Sequence, residues 1–207
     1  MCQAVDPIEH RPSPESPGMS TALYAFMPQP DIRKRHATLV HAPAEVVYHV
    51  ARHFDMQSVP LVRCIFTLRA RLMRAPVRTG NPFGTLDPAS LLRMGWATLV
   101  EEPGHLFIAG AACQPWRGEV VFTPVAPERF ASYVEPDRVL IAWTLEAESL
   151  GPRLTRFATE TRARAADAQA RAKFRRYWRA AGVGVSAIRW LLLPAIRREA
   201  ERRWSTS

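Results

Sequence analysis

Lysine is nearly missing from this chain of 207 residues. Of its 28 basic residues only Lys34 and Lys173 are lysine, and the other 26 are arginine. Arginine in such excess, beside so much alanine, reflects GC-rich coding as much as selection for phosphate contacts. The net charge of +9 is also unevenly spread. From Arg153 onward there are 14 basic and 4 acidic residues, whereas the preceding part holds 14 and 15. The surplus belongs to the end of the chain, where it coats a helix facing water, and nucleic acid is not the expected partner. Cysteine is scarce too. Cys2, Cys64 and Cys113 lie far apart and form no CxxC pair, which excludes a disulfide scaffold and a zinc ribbon. Cys64 and Cys113 read as small apolar core residues.

Long apolar runs are likewise few. The longest, Val183 to Ile196, is too short to span a bilayer and carries Arg189. The opening MCQAVDPIEH has acids and a proline where a signal peptide has a basic and then a hydrophobic stretch, so a soluble, cytoplasmic protein is expected. There is no phosphate-cradling glycine loop, no dinucleotide fingerprint and no Ser/His/Asp order. His49 and His53 stand one helical turn apart, but without the glutamate of HExxH or a third ligand. Neither a metal nor a cofactor is expected.

What is present has a clear order. Residues 1–30 hold six prolines and read as a disordered leader, with Met19 an alternative start to Met1. Ile32 to Val40 alternates as a strand. Two helices follow. One, behind Pro43, carries Val46, Val47, Val50 and Phe54 and ends near Asp55; the other runs from Ser58 to Arg74. Ala75 to Ser90 is turn-rich, a loop long enough to be a lid or portal. Strands are expected over Trp96–Glu101 and His105–Ala111 about a hairpin at Glu102-Pro-Gly104. A further short strand is expected over Gly118–Thr123, and a turn or short helix over Pro127–Val134. Arg138–Glu148 and Leu154–Ala165 form the strongest pair. The chain closes with a helical pattern from Ala168 to Arg203, whose apolar stripe includes Phe174, Tyr177, Trp178 and Leu192. Unbroken, it would be about 54 Å long, so Gly182, Gly184 and Pro194 are the expected places for a bend or break.

This order, with HAPAEVVYHVARHFD, LIAWTLEAE, TRFATETRARA and FRRYWRAAGVGVSAIRWLLLPAIRREAE, resembles a bacterial branch of the SRPBCC superfamily over about residues 31–203. The superfamily includes START-like lipid carriers, pollen-allergen-like ligand carriers and polyketide cyclases. The resemblance implies an α+β, helix-grip fold: a curved antiparallel sheet wrapped around a long C-terminal helix, with two short helices after the first strand. The domain is expected over 31–193, followed by a basic helical tail over 194–207.

The resemblance also implies an internal cavity for a hydrophobic small molecule such as a lipid, sterol or polyketide. Trp96, Phe107, Trp143 and Phe157 on the sheet, with Phe174, Tyr177 and Trp178 on the helix, are the expected walls. Trp116 is the expected residue at the cavity mouth. A fully packed core is the plainer reading of the same aromatics. The enzymatic alternative is a cyclase, aromatase or dehydratase, for which His105, Glu160 and Arg162 are the catalytic candidates. Glu160 and Arg162 share one face of the last strand; facing the cavity they would anchor a ligand, facing outward they would be an exposed ion pair. A third reading is peripheral contact with anionic membrane through Leu191–Ile196 and the arginines at 197, 198, 202 and 203.

Overall fold

A computed structural model describes residues 21–72 and 86–206. The chain is α+β, and its elements follow the expected order: β1 (Ile32–Val40), α2 (Ala44–His53), α3 (Pro60–Leu72), β2 (Ala97–Glu102), β3 (Leu106–Cys113), β5 (Val139–Gly151), β6 (Leu154–Ala165) and α6 (Ala168–Ser205). Four short elements complete it: α1 (Thr21–Phe26), α4 (Pro88–Arg93), β4 (Thr123–Pro124) and α5 (Pro127–Phe130). The sheet is antiparallel, ordered β1-β6-β5-β3-β2, with β4 added to β3. Its β2–β3 hairpin turns at Gly104, whose φ of 81° suits a residue without a Cβ.

Alternation along the strands gives the sheet two faces. The helix face carries Phe107 and Ala109 of β3, Leu145 and Ala147 of β5, and Phe157 of β6. These pack with Leu192, Leu193, Ile196 and Ala200 of α6 and with Val47, Val50 and Ala51 of α2. At the other end of the same face, Val139, Ala163 and Ala165 pack against Ala170 and Phe174. The outer face carries Ile108, Ala112, Leu140 and Ala142, which pack with Leu23 and Met27 and with Phe130 of α5.

Five expectations are corrected. The leader was expected to extend to residue 30, yet Thr21–Phe26 is a helix, and Leu23 and Met27 are 0% and 1% exposed. Pro28 lies two residues beyond the end of this six-residue helix, which packs on the sheet. The rest of the leader lies outside the described residues, as do both candidate starts and Cys2. Second, α6 runs without interruption through Gly182, Gly184 and Pro194. Pro194 is exposed and removes a backbone donor, a cost of about 3 kcal/mol in a helix interior. Burial of Leu192, Leu193 and Ile196 beside it offsets that cost.

Third, the segment after Pro194 does not leave the domain. Ile196 and Ala200 are buried, Glu201 accepts the His41 backbone N–H at 3.0 Å, and Arg153 lies over the Trp204 ring. Of the apolar side chains in Leu191–Ile196, Leu192, Leu193 and Ile196 are buried in the core. By length, and by an 18-residue window of mean hydropathy 1.3, α6 has the dimensions of a membrane span, but both its ends are packed on the sheet. Fourth, Pro88–Arg93 forms a helix that begins inside the stretch expected to be loop up to Ser90. Asp87 caps it by accepting the Ser90 N–H at 2.7 Å, ahead of a proline in the first turn. The expected loop up to position 85 lies outside the described residues. Cys64 is exposed on α3 and not in the core, while Cys113 is buried as expected.

Candidate functional site

The helix face is closed at both ends and partly open in its middle. Phe107, Phe157 and Phe174 are 0–1% exposed, but Ile141 and Trp143, on central strand β5 between the two packed ends, are only half-buried. The aromatics expected to line a cavity fall into two groups, and Trp96, Phe107, Phe157 and Phe174 among them are buried in the core. Trp96, Phe107 and Trp143 touch one another, with ring centroids 5.4 Å apart for Phe107–Trp143 and 6.2 Å for Trp96–Trp143, and Phe157 shares their cluster. Phe174, Tyr177 and Trp178 form the second group, stacked or tilted at 5.7–6.5 Å. Trp116 packs onto that group, with the Lys173 ammonium 5.7 Å from its ring, so it closes the end where α6 begins.

At the edge where α6 passes β1 lies a groove of about 380 Å³ lined by Lys34, Trp178, Gly182, Val183, Ser186, Ala187 and Trp190, so that of the seven aromatics expected as cavity walls only Trp178 reaches it. Its floor is made of small residues because the helix there reads Gly-Val-Gly-Val-Ser-Ala. Gly182 makes room for its neighbour: a Cβ added to it would fall 2.8 Å from Trp178 Nε1, so any larger residue would push the indole from its present place along the helix. Trp178 and Trp190 flank this floor, and Trp190 is 70% exposed. An indole left that open to water is unusual for a residue of its apolar area. A second groove, of about 660 Å³, lies among Gln114, Arg117, Glu119 and Arg138 on the far side of Trp116. Its lining is more polar and includes an acid.

The polar groups near the first groove differ in kind from those elsewhere. Arg189 turns toward the sheet and hydrogen-bonds the Thr161 hydroxyl through Nη2, while its Nε is shielded and has no acceptor among the described residues. Burial alone pulls its pKa down to about 10, so it remains charged at neutral pH. His36, whose side chain points to the same face of β1, lies 6.4 Å from the Trp190 ring and also has a shielded Nδ1 without a partner among the described residues. Burial, followed by the positive charges of Arg189 and Lys34, lowers the His36 pKa below its ordinary value and favours the neutral ring. Both residues were missed in the sequence. A single arginine inside an apolar helical run was the available signal for Arg189. Nothing comparable marked His36.

The three catalytic candidates do not meet here. His105 sits on the β2–β3 hairpin with its side chain 53% exposed, paired to Glu102 at 2.9 Å. Glu160 and Arg162 project from the outer face, so they are not available to a ligand beneath α6. They are not an exposed pair either. Arg162 is 1% exposed and donates to Glu160 at 2.7 Å and to the Met27 carbonyl at 2.8 Å, with its guanidinium 4.0 Å from the centre of the Tyr24 ring. Arg33 reaches the same Glu160 oxygen at 2.8 Å, and Arg35 bridges toward Glu146 at 3.6 Å. Burial raises the Glu146 pKa, opposed chiefly by Arg35. This network ties α1 to the sheet. His49 and His53 are exposed and stack at 4.4 Å, and among the described residues no cluster suited to a metal ion is found.

No family model and no curated protein matches this chain. Among solved structures it is similar to the crystal structure of the Zhui aromatase/cyclase from Streptomyces sp. R1128. The identity is 17% over 83% of this chain and 94% of that one, with a TM-score of 0.28. A superposition that loose lends no weight to a shared reaction. The fold is assigned by its own strand order and by the helix packed across the sheet: α+β, of the helix-grip kind.

Proposed function

We propose that this protein binds an apolar small molecule in the groove between α6 and the β1 edge of the sheet. The observation that carries this reading is the contrast along α6. Its two ends each bury side chains in a core cluster, while its middle has a glycine and small-residue floor between two tryptophans, one of them left open to water. Large aromatics around a small-residue floor are the usual lining of a site for flat or chain-like apolar molecules. The natural ligand class is a lipid-, sterol- or polyketide-like molecule. Titration with N-phenyl-1-naphthylamine tests this. Its emission should rise on binding, and the melting temperature should increase with probe concentration by mass action. Ala187→Trp, which fills the floor, should abolish both effects. Absence of binding to the folded wild-type chain would overturn the reading.

One observation favours a second, catalytic reading of the same groove. His36 Nδ1 and Arg189 Nε on the helix face are both shielded and without partners among the described residues. A neutral imidazole beside a guanidinium suits proton abstraction next to a carbonyl, the arginine stabilising the enolate. The reading predicts deuterium exchange into the central carbon of 1-phenylbutane-1,3-dione above the buffer rate, and loss of that excess in His36→Gln. An exchange rate equal to that of buffer would remove it.

A further inference from the structure

The large apolar side chains left in water are concentrated on one pair of helices. Five of the ten among the described residues lie there: Leu61, Leu68 and Leu72 of α3 and Val183 and Trp190 of α6, each 58–77% exposed. The two helices lie side by side and antiparallel. A Cβ on Gly184 of α6 would meet Ile65 Cγ2 of α3 at 3.4 Å, and Arg69 of α3 donates to the Tyr177 hydroxyl at 3.4 Å. At about 100° per residue the three leucines form one stripe beside Ile65, turned roughly 100° from buried Val62. By the same count Val183 and Trp190 point about opposite to Phe174 and Leu192, which are buried toward the sheet. Both groups therefore face away from the sheet, as a single two-helix ridge.

Charge on this ridge has one sign. From Met56 to Leu86 the sequence holds five arginines and no acid, and from Ala168 to Arg198 it holds eight basic residues and no acid. Arg63 and Arg71 of α3 and Arg175, Arg176 and Arg179 of α6 are exposed. Leucine, valine and an open indole set among arginines is the composition of a segment that lies in a lipid interface. An arginine stem covers apolar surface there while its guanidinium stays at headgroup level. A second copy of the chain is a poorer occupant, because it would set arginine against arginine with no acid between them. We infer that the α3–α6 ridge docks on an anionic phospholipid bilayer, its leucines and Trp190 entering the interface and its arginines meeting the headgroups. This surface differs from the terminal segment expected to touch a membrane, whose Leu192, Leu193 and Ile196 are buried. It also stands independently of the ligand reading, although docking would bring the groove, which shares Val183 and Trp190, up to the lipid.

The test is co-sedimentation of the full chain with vesicles of phosphatidylcholine alone and of phosphatidylcholine and phosphatidylglycerol in equal amounts. Binding to the anionic vesicles should be at least about tenfold tighter. The combined variant Leu61→Ser, Leu68→Ser, Leu72→Ser keeps every charge and touches no groove residue. It should bind anionic vesicles at least about tenfold more weakly than wild type, with its thermal midpoint and its uptake of N-phenyl-1-naphthylamine unchanged. Tryptophan emission of the wild type should shift to the blue on anionic vesicles, and Trp190→Phe should remove most of that shift. No binding to anionic vesicles, or equal binding to both kinds, overturns the inference and leaves the ligand reading standing. Undiminished binding by the leucine variant overturns it as well, since charge alone would then suffice. A wild-type dimer made monomeric by the leucine substitutions, seen by sedimentation equilibrium, would assign the ridge to a second copy instead.

Discussion

Strand β6 separates two arginines, Arg162 buried and Arg189 half-buried, that are treated in opposite ways. On the outer face, Arg162 has a carboxylate at 2.7 Å, a backbone carbonyl at 2.8 Å and an aromatic ring over its guanidinium. On the helix face, Arg189 reaches the hydroxyl of Thr161, the residue adjacent to Arg162 in sequence, with its Nε left without an acceptor among the described residues. The first is completed inside the chain, and α1 closes over it. The second is incomplete, and a groove opens beside it. An internally satisfied buried ion network adds order to the fold, because each partner is tied to several others. A half-buried cation without its partner spends stability for which function is the usual reason.

The largest expected effect breaks the completed side. Glu160→Gln leaves Arg162 and Arg33 facing a neutral amide in a buried site, which costs about 3–5 kcal/mol. Thermal unfolding followed by circular dichroism should then shift down by at least about 6 °C, and an unchanged midpoint would show that the network holds nothing together. Next in size is the packed end of α6. Ile196→Ala should cost about 2–4 kcal/mol, whereas Val183→Ala in the open middle, at a residue 77% exposed, should stay within about 0.5 kcal/mol. Equal losses would erase the distinction between anchored ends and open groove.

Smaller, and opposite in sign, is Arg189→Met without ligand. The pKa drawn down to about 10 means that burial disfavours the charged form in the folded state. Removing that charge relieves the penalty at every pH where unfolded arginine is protonated. After discounting the lost bond to Thr161, a gain of about 1 kcal/mol, or about 2–4 °C, is expected. A clear loss would place Arg189 among the structural arginines with Arg162. The smallest effect is chemical. Burial pushes the Cys113 thiol up to about 12, so iodoacetamide at pH 8 should label exposed Cys64 and spare Cys113 until the chain unfolds. Rapid native labelling of Cys113 would mean that the β3 end of the helix face is not closed.

Much of the fold was legible because it depends on short-range pattern. Alternation marked β1, β5 and β6 and sorted their residues correctly onto two faces, and the Phe174–Leu192 stripe marked the closing helix. The short helices were less legible. Thr21–Phe26 has too few residues for a periodicity and lies between prolines, while Pro88–Arg93 announced itself only through Asp87 and the proline behind it. The site divided in the same manner. Of the aromatics expected as walls only Trp178 lines the groove, with Trp190 beside it unforeseen, and Glu160 and Arg162 drew attention as a pair on one strand face when the face in question was the outer one. Arg189 looked like a flaw in an apolar run until the sheet was laid against it.

Period and composition alone therefore determined the order of strands and helices, the basic character of the last helix and the supply of aromatics, since each is set by neighbours within a few residues. Which face of β6 meets α6, which arginine acquires a carboxylate, and where the long helix leaves room are long-range outcomes. They follow from strand pairing and from α1 and α6 settling on opposite sides of one sheet. No local spacing encodes them, because a side chain's partner is decided by what the fold brings across from elsewhere in the chain.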